Sequence, residues 1–282
     1  MLRLMTHNVW NRDENLPAWE GMGEDCSAEA RISGLVQVYL DTQPDIIGGQ
    51  EVSCLMADLL KEHCHSAGMD YTLIWGRFTP ILYRADKLEL LDSAFGTYPE
   101  TIEGYEGSFN DVKSKAWNLG VFREKATGKV FIFATTHLWW KREGDSQLGR
   151  YYQPHSDKAR QLQIAIVADK VAQYREKYNC PAVLVGDLNT GYCTKAVEHL
   201  LHKGFRHAKH IATDYAEESV GYHTCTKTGY DKKYSDKPFE EAIDHIYLLN
   251  EPAGAVKRFE RYSPEYYLPI SDHSPAYIDI EF

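Results

Sequence analysis

Cysteine is scarce and unpatterned in this sequence. Cys26, Cys54, Cys64, Cys180, Cys193 and Cys225 form no Cys-x-x-Cys pair and no zinc-finger spacing. Neither a disulfide framework nor a structural zinc site is indicated, and reduced, buried thiols are expected. No apolar run approaches the roughly 20 residues that span a bilayer, which argues against a transmembrane helix. Repeats, linkers and low-complexity tracts are missing too, so one domain, 1–282, is expected. Before the first motif there is only Met1-Leu2-Arg3-Leu4-Met5-Thr6, without a charged leader and an apolar h-region. The chain as it stands is expected in the cytoplasm, and secretion stays open if a signal has been removed. Basic residues are in deficit, 31 Lys+Arg against 41 Asp+Glu for a net charge of -10. That argues against holding nucleic acid through a basic surface, although a local cationic cleft or a bound divalent metal offsets an acidic whole.

What is present is a strand-helix alternation. Short apolar runs read as strands at Leu2 to His7, Asp45 to Gly49, Thr72 to Trp75, Pro80 to Tyr83, Val130 to Thr136, Ala182 to Val185, Ala242 to Leu248 and Ala276 to Ile280. Helices are expected at Ala28 to Leu40 after a Ser27 cap, Cys54 to Ala67 after Ser53, Asp157 to Tyr178 after Ser156, and Thr194 to Leu201. In the middle, Leu88 to Phe95, Ala116 to Arg123 and Val130 to Thr136 follow one another with little helix, and Ala126-Thr127-Gly128 reads as a hairpin turn. The mixture implies an α/β fold with two packed mixed β-sheets covered by helices, not one doubly wound parallel sheet. Long loops are expected at Asn11 to Cys26, Thr97 to Lys115 and Val220 to Glu240.

Five short polar motifs fall at the ends of these strands: Thr6-His7-Asn8-Val9-Trp10, Gly49-Gln50-Glu51, Thr135-Thr136-His137-Leu138, Gly186-Asp187-Leu188-Asn189-Thr190, and the pair Ile243-Asp244-His245-Ile246 with Ser271-Asp272-His273-Ser274-Pro275. A hard divalent cation such as Mg²⁺ takes oxygen ligands and keeps several waters, so Glu51 and Asp272 with the amide of Asn8 suit it. Asp187 and Asn189 alternate by two, which suits orienting an attacking water. His137 and His273 are proton donors for the charge that builds on phosphate oxygens during ester hydrolysis, and Asp244 is the carboxylate to pair with His273. Taken singly, Asn8 reads equally as a strand-end turn residue, Glu51 as an acid near a helix N-terminus and Asp187 as an Asx-turn former.

The ordered set resembles the endonuclease/exonuclease/phosphatase superfamily over nearly the whole chain. Asn8, Glu51, His137, Asp187 with Asn189, Asp244, and Asp272 with His273 are similar, in that order, to its motifs. The resemblance implies a four-layer α/β sandwich and hydrolysis of phosphate esters with Mg²⁺ or Mn²⁺, in a phosphodiesterase or phosphatase. A nuclease acting on DNA or RNA is one alternative, and a catalytically silent binding relative is another. The chain departs from deoxyribonuclease-like members at Arg77, where they carry a glutamate that steadies the mid-chain histidine. It departs again at Trp10, where apurinic-site enzymes have an aspartate, and at Trp139-Trp140, where many relatives have an aspartate after His-Leu.

Around this set, Trp139, Trp140, Tyr151 and Tyr152 are candidates to line a substrate pocket, with packing as the plain alternative. Arg160 reads as a phosphate contact or a solvated first-turn charge, and His223 as a residue on the rim of the site. His202, His207 and His210 read as surface histidines. The acid balance favours a small molecule or lipid headgroup over nucleic acid as the phosphate-ester partner, and the protein is expected to be a monomer.

Overall fold

The computed structural model describes residues 1–144, 146–216, 242–262, 264–267 and 269–282. In chain order the elements are β1 (Leu2–Asn8), α1 (Pro17–Glu20), α2 (Ala28–Thr42), β2 (Ile46–Gln50), α3 (Cys54–Ser66), β3 (Thr72–Ile74), β4 (Ile81–Tyr83), β5 (Leu88–Thr97), β6 (Ala116–Glu124), β7 (Val130–His137), α4 (Ser156–Tyr178), β8 (Ala182–Asp187), α5 (Lys195–His202), β9 (Arg206–His207), α6 (Ala208–Ile211), β10 (Asp214–Tyr215), β11 (Asp244–Leu249), β12 (Val256–Arg261) and β13 (Ala276–Ile280). The strands build two mixed sheets, one in the order β10, β12, β13, β1, β2, β4, β3 and the other in the order β5, β6, β7, β8, β11, β9. No helix among the described residues is long and apolar enough to cross a membrane.

Burial on both faces of the central strands explains their apolar runs. In β1, Leu2 and Leu4 point between the sheets, where they join Ile46, Ile81, Phe131, Phe133, Val183 and Val185. Met5 points the other way and packs with Ile47 and Leu82 under Ile32, Leu35, Val36 and Leu60 of α2 and α3. On the far side Ile132, Ala134 and Leu184 carry Ile164, Val167 and Val197 of α4 and α5. The result is the expected four layers, helices over sheet over sheet over helices. Ser27 and Ser53 cap α2 and α3 as their spacing predicts, accepting from the Ala30 and Met56 amides. Ser156 does not cap α4: it is the first helical residue, and its hydroxyl donates to the Gln153 carbonyl at 2.8 Å, with left-handed His155 at the cap position.

Each sheet has a parallel pair at its centre, β1 with β2 and β7 with β8, flanked by antiparallel neighbours. The C-terminal ends of the parallel pairs therefore share one rim with the N-terminal ends of β13 and β11. Registers put His137 opposite Asp187, and Asp187 opposite Asp244. Two glycines let these strands close up. A Cβ on Gly48 would lie 2.6 Å from Val185 and 2.8 Å from Thr135 of the facing sheet, and one on Gly186, at φ +151, would lie 2.0 Å from the Thr136 carbonyl oxygen.

Candidate active site

The shared rim gathers the side chains that the motifs single out. Asp187 lies at its centre: Oδ2 is 3.4 Å from His137 Nε2 and 3.8 Å from His273 Nε2, and it accepts from Asn8 Nδ2 at 3.0 Å. Its Oδ1 accepts from the backbone of Asn189 at 2.8 Å, while Asn189 Nδ2 donates to the Leu138 carbonyl and so ties the ends of β7 and β8 together. Glu51 approaches from β2, with Oε2 accepting from Asn11 N at 2.8 Å and Oε1 3.9 Å from His137 Nε2. From the start of β11, Asp244 Oδ2 holds His273 Nδ1 at 2.7 Å. Ser271 anchors the last motif by donating to the Asn8 carbonyl at 2.8 Å and accepting from His273 N at 3.2 Å. Asp244, Asp272 and His273 thus reach the rim at strand beginnings, not at the C-terminal strand ends that supply the other motifs.

A polar bridge stands beneath the rim. Gln50 Nε2 donates to Thr135 Oγ1 at 2.9 Å across the sheets, and to Gly48 O and Thr6 Oγ1 within its own sheet. All are buried, so the network fixes the separation of the two sheets where a purely apolar contact would allow slip. Trp10, Glu51 and Asn189 hold left-handed backbone, at φ 61, 58 and 50. Non-glycine residues adopt this region rarely and mostly where surrounding contacts over-determine it, as at binding sites.

The electrostatics divide the site in two. Burial raises Asp187 to about 7, with Asp244 adding to the rise and His273 and Lys115 opposing it. Asp272 goes to about 6, first through burial and then through the nearby charge of Glu51, against the opposing pull of His273. Burial works against a charged His273, but Asp244, Asp187 and Asp272 together outweigh it and hold its pKa well above the usual value. His137 moves the other way: burial, then Lys115 and His273, press its pKa well below the ordinary one. One histidine is held as a cation and the other neutral.

Lys115 is the residue that the motifs did not disclose. Its Nζ lies 2.7 Å from His137 Nε2, it is buried, and Asn110 fixes its backbone through Lys115 N to Asn110 Oδ1 at 2.8 Å and Asn110 Nδ2 to Lys115 O at 2.9 Å. This supplies the support for His137 that Arg77 cannot, since Arg77 is exposed on another turn.

Other expected positions move. Asn8 Oδ1 accepts from Trp10 N at 3.0 Å, which turns the amide nitrogen toward Asp187 and Glu51. Asn8 thus buttresses both carboxylates through its amide nitrogen, donating to Asp187 at 3.0 Å and to Glu51 at 3.4 Å. Trp139 is fully buried against Phe109 and Ala159, so it packs and is not a substrate contact. Trp140 is half-buried at the edge, with Nε1 3.1 Å from Asp111 Oδ2. Arg160 is neither a phosphate contact nor solvated: it is buried and donates to the Trp139 and Lys141 carbonyls at 3.0 and 2.6 Å. His207 is buried among His245, Tyr247 and Phe259, not on the surface. His223 and the Val220 to Glu240 loop lie outside the described residues.

The donor set fits a hard cation. Asp272 Oδ1 is a buried oxygen without a hydrogen-bond partner, and so is Asp244 Oδ1. Glu51, His137 and Asp187 offer atoms within 4.8 Å of one another, as do Asp187, Asp244 and His273. His137 Nε2 is already engaged by Lys115, and Asp244 at His273 Nδ1 helps to keep that imidazole protonated, which removes the lone pair that a metal would need. The carboxylates of Glu51 and Asp272 are the freer ligands, and oxygen donors suit Mg²⁺ or Mn²⁺ better than imidazole does.

A sequence model of the Endonuclease/Exonuclease/phosphatase family matches residues 5–273. Among solved structures, a mannosyl-6-phosphatase of Bacteroides thetaiotaomicron superposes with a TM-score of 0.72 at 22% identity, covering 100% of each chain. Another Bacteroides thetaiotaomicron protein, described as an endonuclease/exonuclease/phosphatase family protein, gives 0.71 at 20% identity over 98% of this chain and 93% of that one. TDP2 of D. rerio complexed with a single-strand DNA product gives 0.64 at 16% identity over 100% and 99%. No curated protein sequence matches.

Proposed function

The chain belongs to the Endonuclease/Exonuclease/phosphatase family, whose members hydrolyse phosphate esters, and from that premise we propose that it is a Mg²⁺- or Mn²⁺-dependent hydrolase of compact phosphate esters. The observation that carries the reading is the Asp187 carboxylate, buried between His137 and a cationic His273 with its pKa lifted to about 7. A base poised near neutral pH combines a useful ionised fraction with real proton affinity.

Glu51 and Asp272 would hold the cation, which when bound polarises the phosphate and offsets charge on its oxygens. Asp187 orients a water and takes its proton, with Asn8 and the Asn189 backbone fixing the direction of its two oxygens. His273, kept charged by Asp244, donates toward the phosphate oxygens. Lys115 adds a second buried cation beside His137. His137, neutral and in contact with it, positions that ammonium. The net charge of -10 favours a substrate that needs few cationic contacts.

Turnover of double-stranded DNA, RNA, sphingomyelin, inositol phosphates and bis-p-nitrophenyl phosphate, each with and without EDTA, tests the class. Asp187→Asn should reduce kcat on the best substrate by roughly 10²–10⁴-fold without unfolding the chain. A wild-type rate for that variant would remove the central assignment.

A further inference from the structure

Cys54, Trp75, Arg77 and Phe78 line a groove of about 300 Å³ that the hydrolytic machinery does not use. Backbone pairing places it beside Glu51: Gly49 N donates to Pro80 O at 2.9 Å and Val52 N to Phe78 O at 3.2 Å, on either side of that residue. The turn is clamped. Asn118 Nδ2 donates to Ile74 O and Thr79 O at 3.1 Å each, and Thr79 N and Oγ1 donate to Gly76 O at 2.9 and 2.8 Å. A Cβ on Gly76 would lie 2.4 Å from Asn118 Nδ2, so the carboxamide reaches in only because glycine is there.

On this fixed turn Trp75 is 44% exposed and Arg77 sits at φ 53, an unfavourable conformation for an arginine. Arg77 has no ion pair among the described residues. Tryptophan and arginine are the side chains enriched among residues that dominate binding energy, and here both stand on one clamped turn.

The lining chemistry narrows the occupant. The guanidinium and indole N–H donate, and two aromatic faces and a thiol complete the wall; none of the four side chains is a carboxylate or amide that accepts from hydroxyls. A polyol ring would find no carboxylate or amide acceptor among these side chains and would leave its hydroxyl donors to water. A heteroaromatic ring rich in acceptors would not, and it stacks on tryptophan. The groove holds one such ring, and the acidic chain does not favour a long phosphate backbone.

We propose that the groove is a subsite for one nucleotide unit of the substrate. The base stacks on Trp75, Arg77 meets its acceptor edge or an adjoining phosphate, and the ester under attack lies in the Glu51–Asp187 cluster. The assignment rests on the hydrolase reading for the last clause only, since the stacking itself needs no turnover.

Titration with adenosine monophosphate in EDTA should quench tryptophan fluorescence saturably in the wild type, and Trp75→Phe should abolish the change while melting at the wild-type temperature. Glycerol phosphate and mannose phosphate should not quench. A short oligoadenylate should bind no more than about threefold tighter than the mononucleotide, and tenfold tighter binding would replace the single-unit subsite by a strand-binding groove. With metal, Trp75→Ala should raise KM on a nucleotide ester roughly 10–100-fold at near-constant kcat and leave a ring-free ester unaffected. Quenching that persists in Trp75→Phe, or equal quenching by mannose phosphate, overturns the subsite. A wild-type protein that turns over no ester overturns the hydrolase reading instead, and the fluorescence result still decides the groove.

Discussion

Lys115 is 5% exposed and makes no ion pair among the described residues, although Glu51, Asp187 and Asp111 act on it from a distance. Burial lowers its pKa, and His137 at 2.7 Å is its close polar contact in the site. A buried cation in that state is costly to the free fold and gains most when an anion arrives. Lys115→Met should therefore cost roughly 10²–10³-fold in kcat/KM and at the same time raise the melting temperature of the metal-free protein. Kinetics and calorimetry on one preparation check both, and a variant that is slow but also less stable would assign Lys115 to the scaffold. Glu51, Asp187, Asp244, Asp272 and His273 stood out in the sequence because each lies in a short polar motif bordering a strand, and the structure brings them to one rim. Lys115 was not legible, since its contact with His137 depends on the pairing of β6 with β7 and on the Asn110 clamp, neither of which leaves a local pattern. The same holds for Trp139 and Arg160: a tryptophan pair and a first-turn arginine look exposed until α4 closes over them.

At the scale of elements, β11 links the rim of the candidate site to a buried histidine pair. His245 Nε2 donates to the Thr190 carbonyl at 2.9 Å and Nδ1 is 3.4 Å from His207 Nε2. Burial, with the charge of Arg261 adding to it, lowers His245 to about 4. A histidine with a depressed folded pKa contributes stability above its unfolded value of about 6.5, and that stability is lost as pH falls from there toward about 4. For His245→Gln, the stability deficit seen at pH 7 should narrow by ~2 kcal/mol at pH 5, read from paired urea unfolding curves. A gap independent of pH would mean that His245 titrates alike in both states. β11 itself was readable as an apolar run, as were the other strands buried on both faces. β12 was not, because the register shift between Val256 and Arg258 puts Val256 and Phe259 three apart and breaks the period of two. Its Arg261 is buried and donates to the Asp244 carbonyl at 2.9 Å, so an unread strand supports a residue that was read.

For the whole molecule, the site concentrates acid in a chain whose net charge is already -10. Asp187 and Asp272, raised to about 7 and about 6, each favour the protonated form in the fold. Their ionisation therefore subtracts stability as pH climbs above the ordinary carboxyl value of about 3.9, and the loss is complete only above the raised values. His273 acts in the same direction, because its raised pKa stabilises at low pH and that contribution fades as pH passes through the folded value. His245 opposes this trend over the same range, and against it these three groups should make metal-free protein melt lower at pH 8 than at pH 6. A divalent cation binds the ionised carboxylates, so it restores stability most where they are ionised and must displace protons where they are not. Saturating Mg²⁺ or Mn²⁺ at about 100 times its dissociation constant should add ~2.7 kcal/mol at pH 8, with a smaller shift and measurable proton uptake by the buffer at pH 6. Asp272→Asn should raise the metal-free melting temperature and erase most of the metal response. If the cation leaves the wild-type melting curve unmoved at pH 8, the paired carboxylates of Glu51 and Asp272 are not its site, whatever the activity assays show.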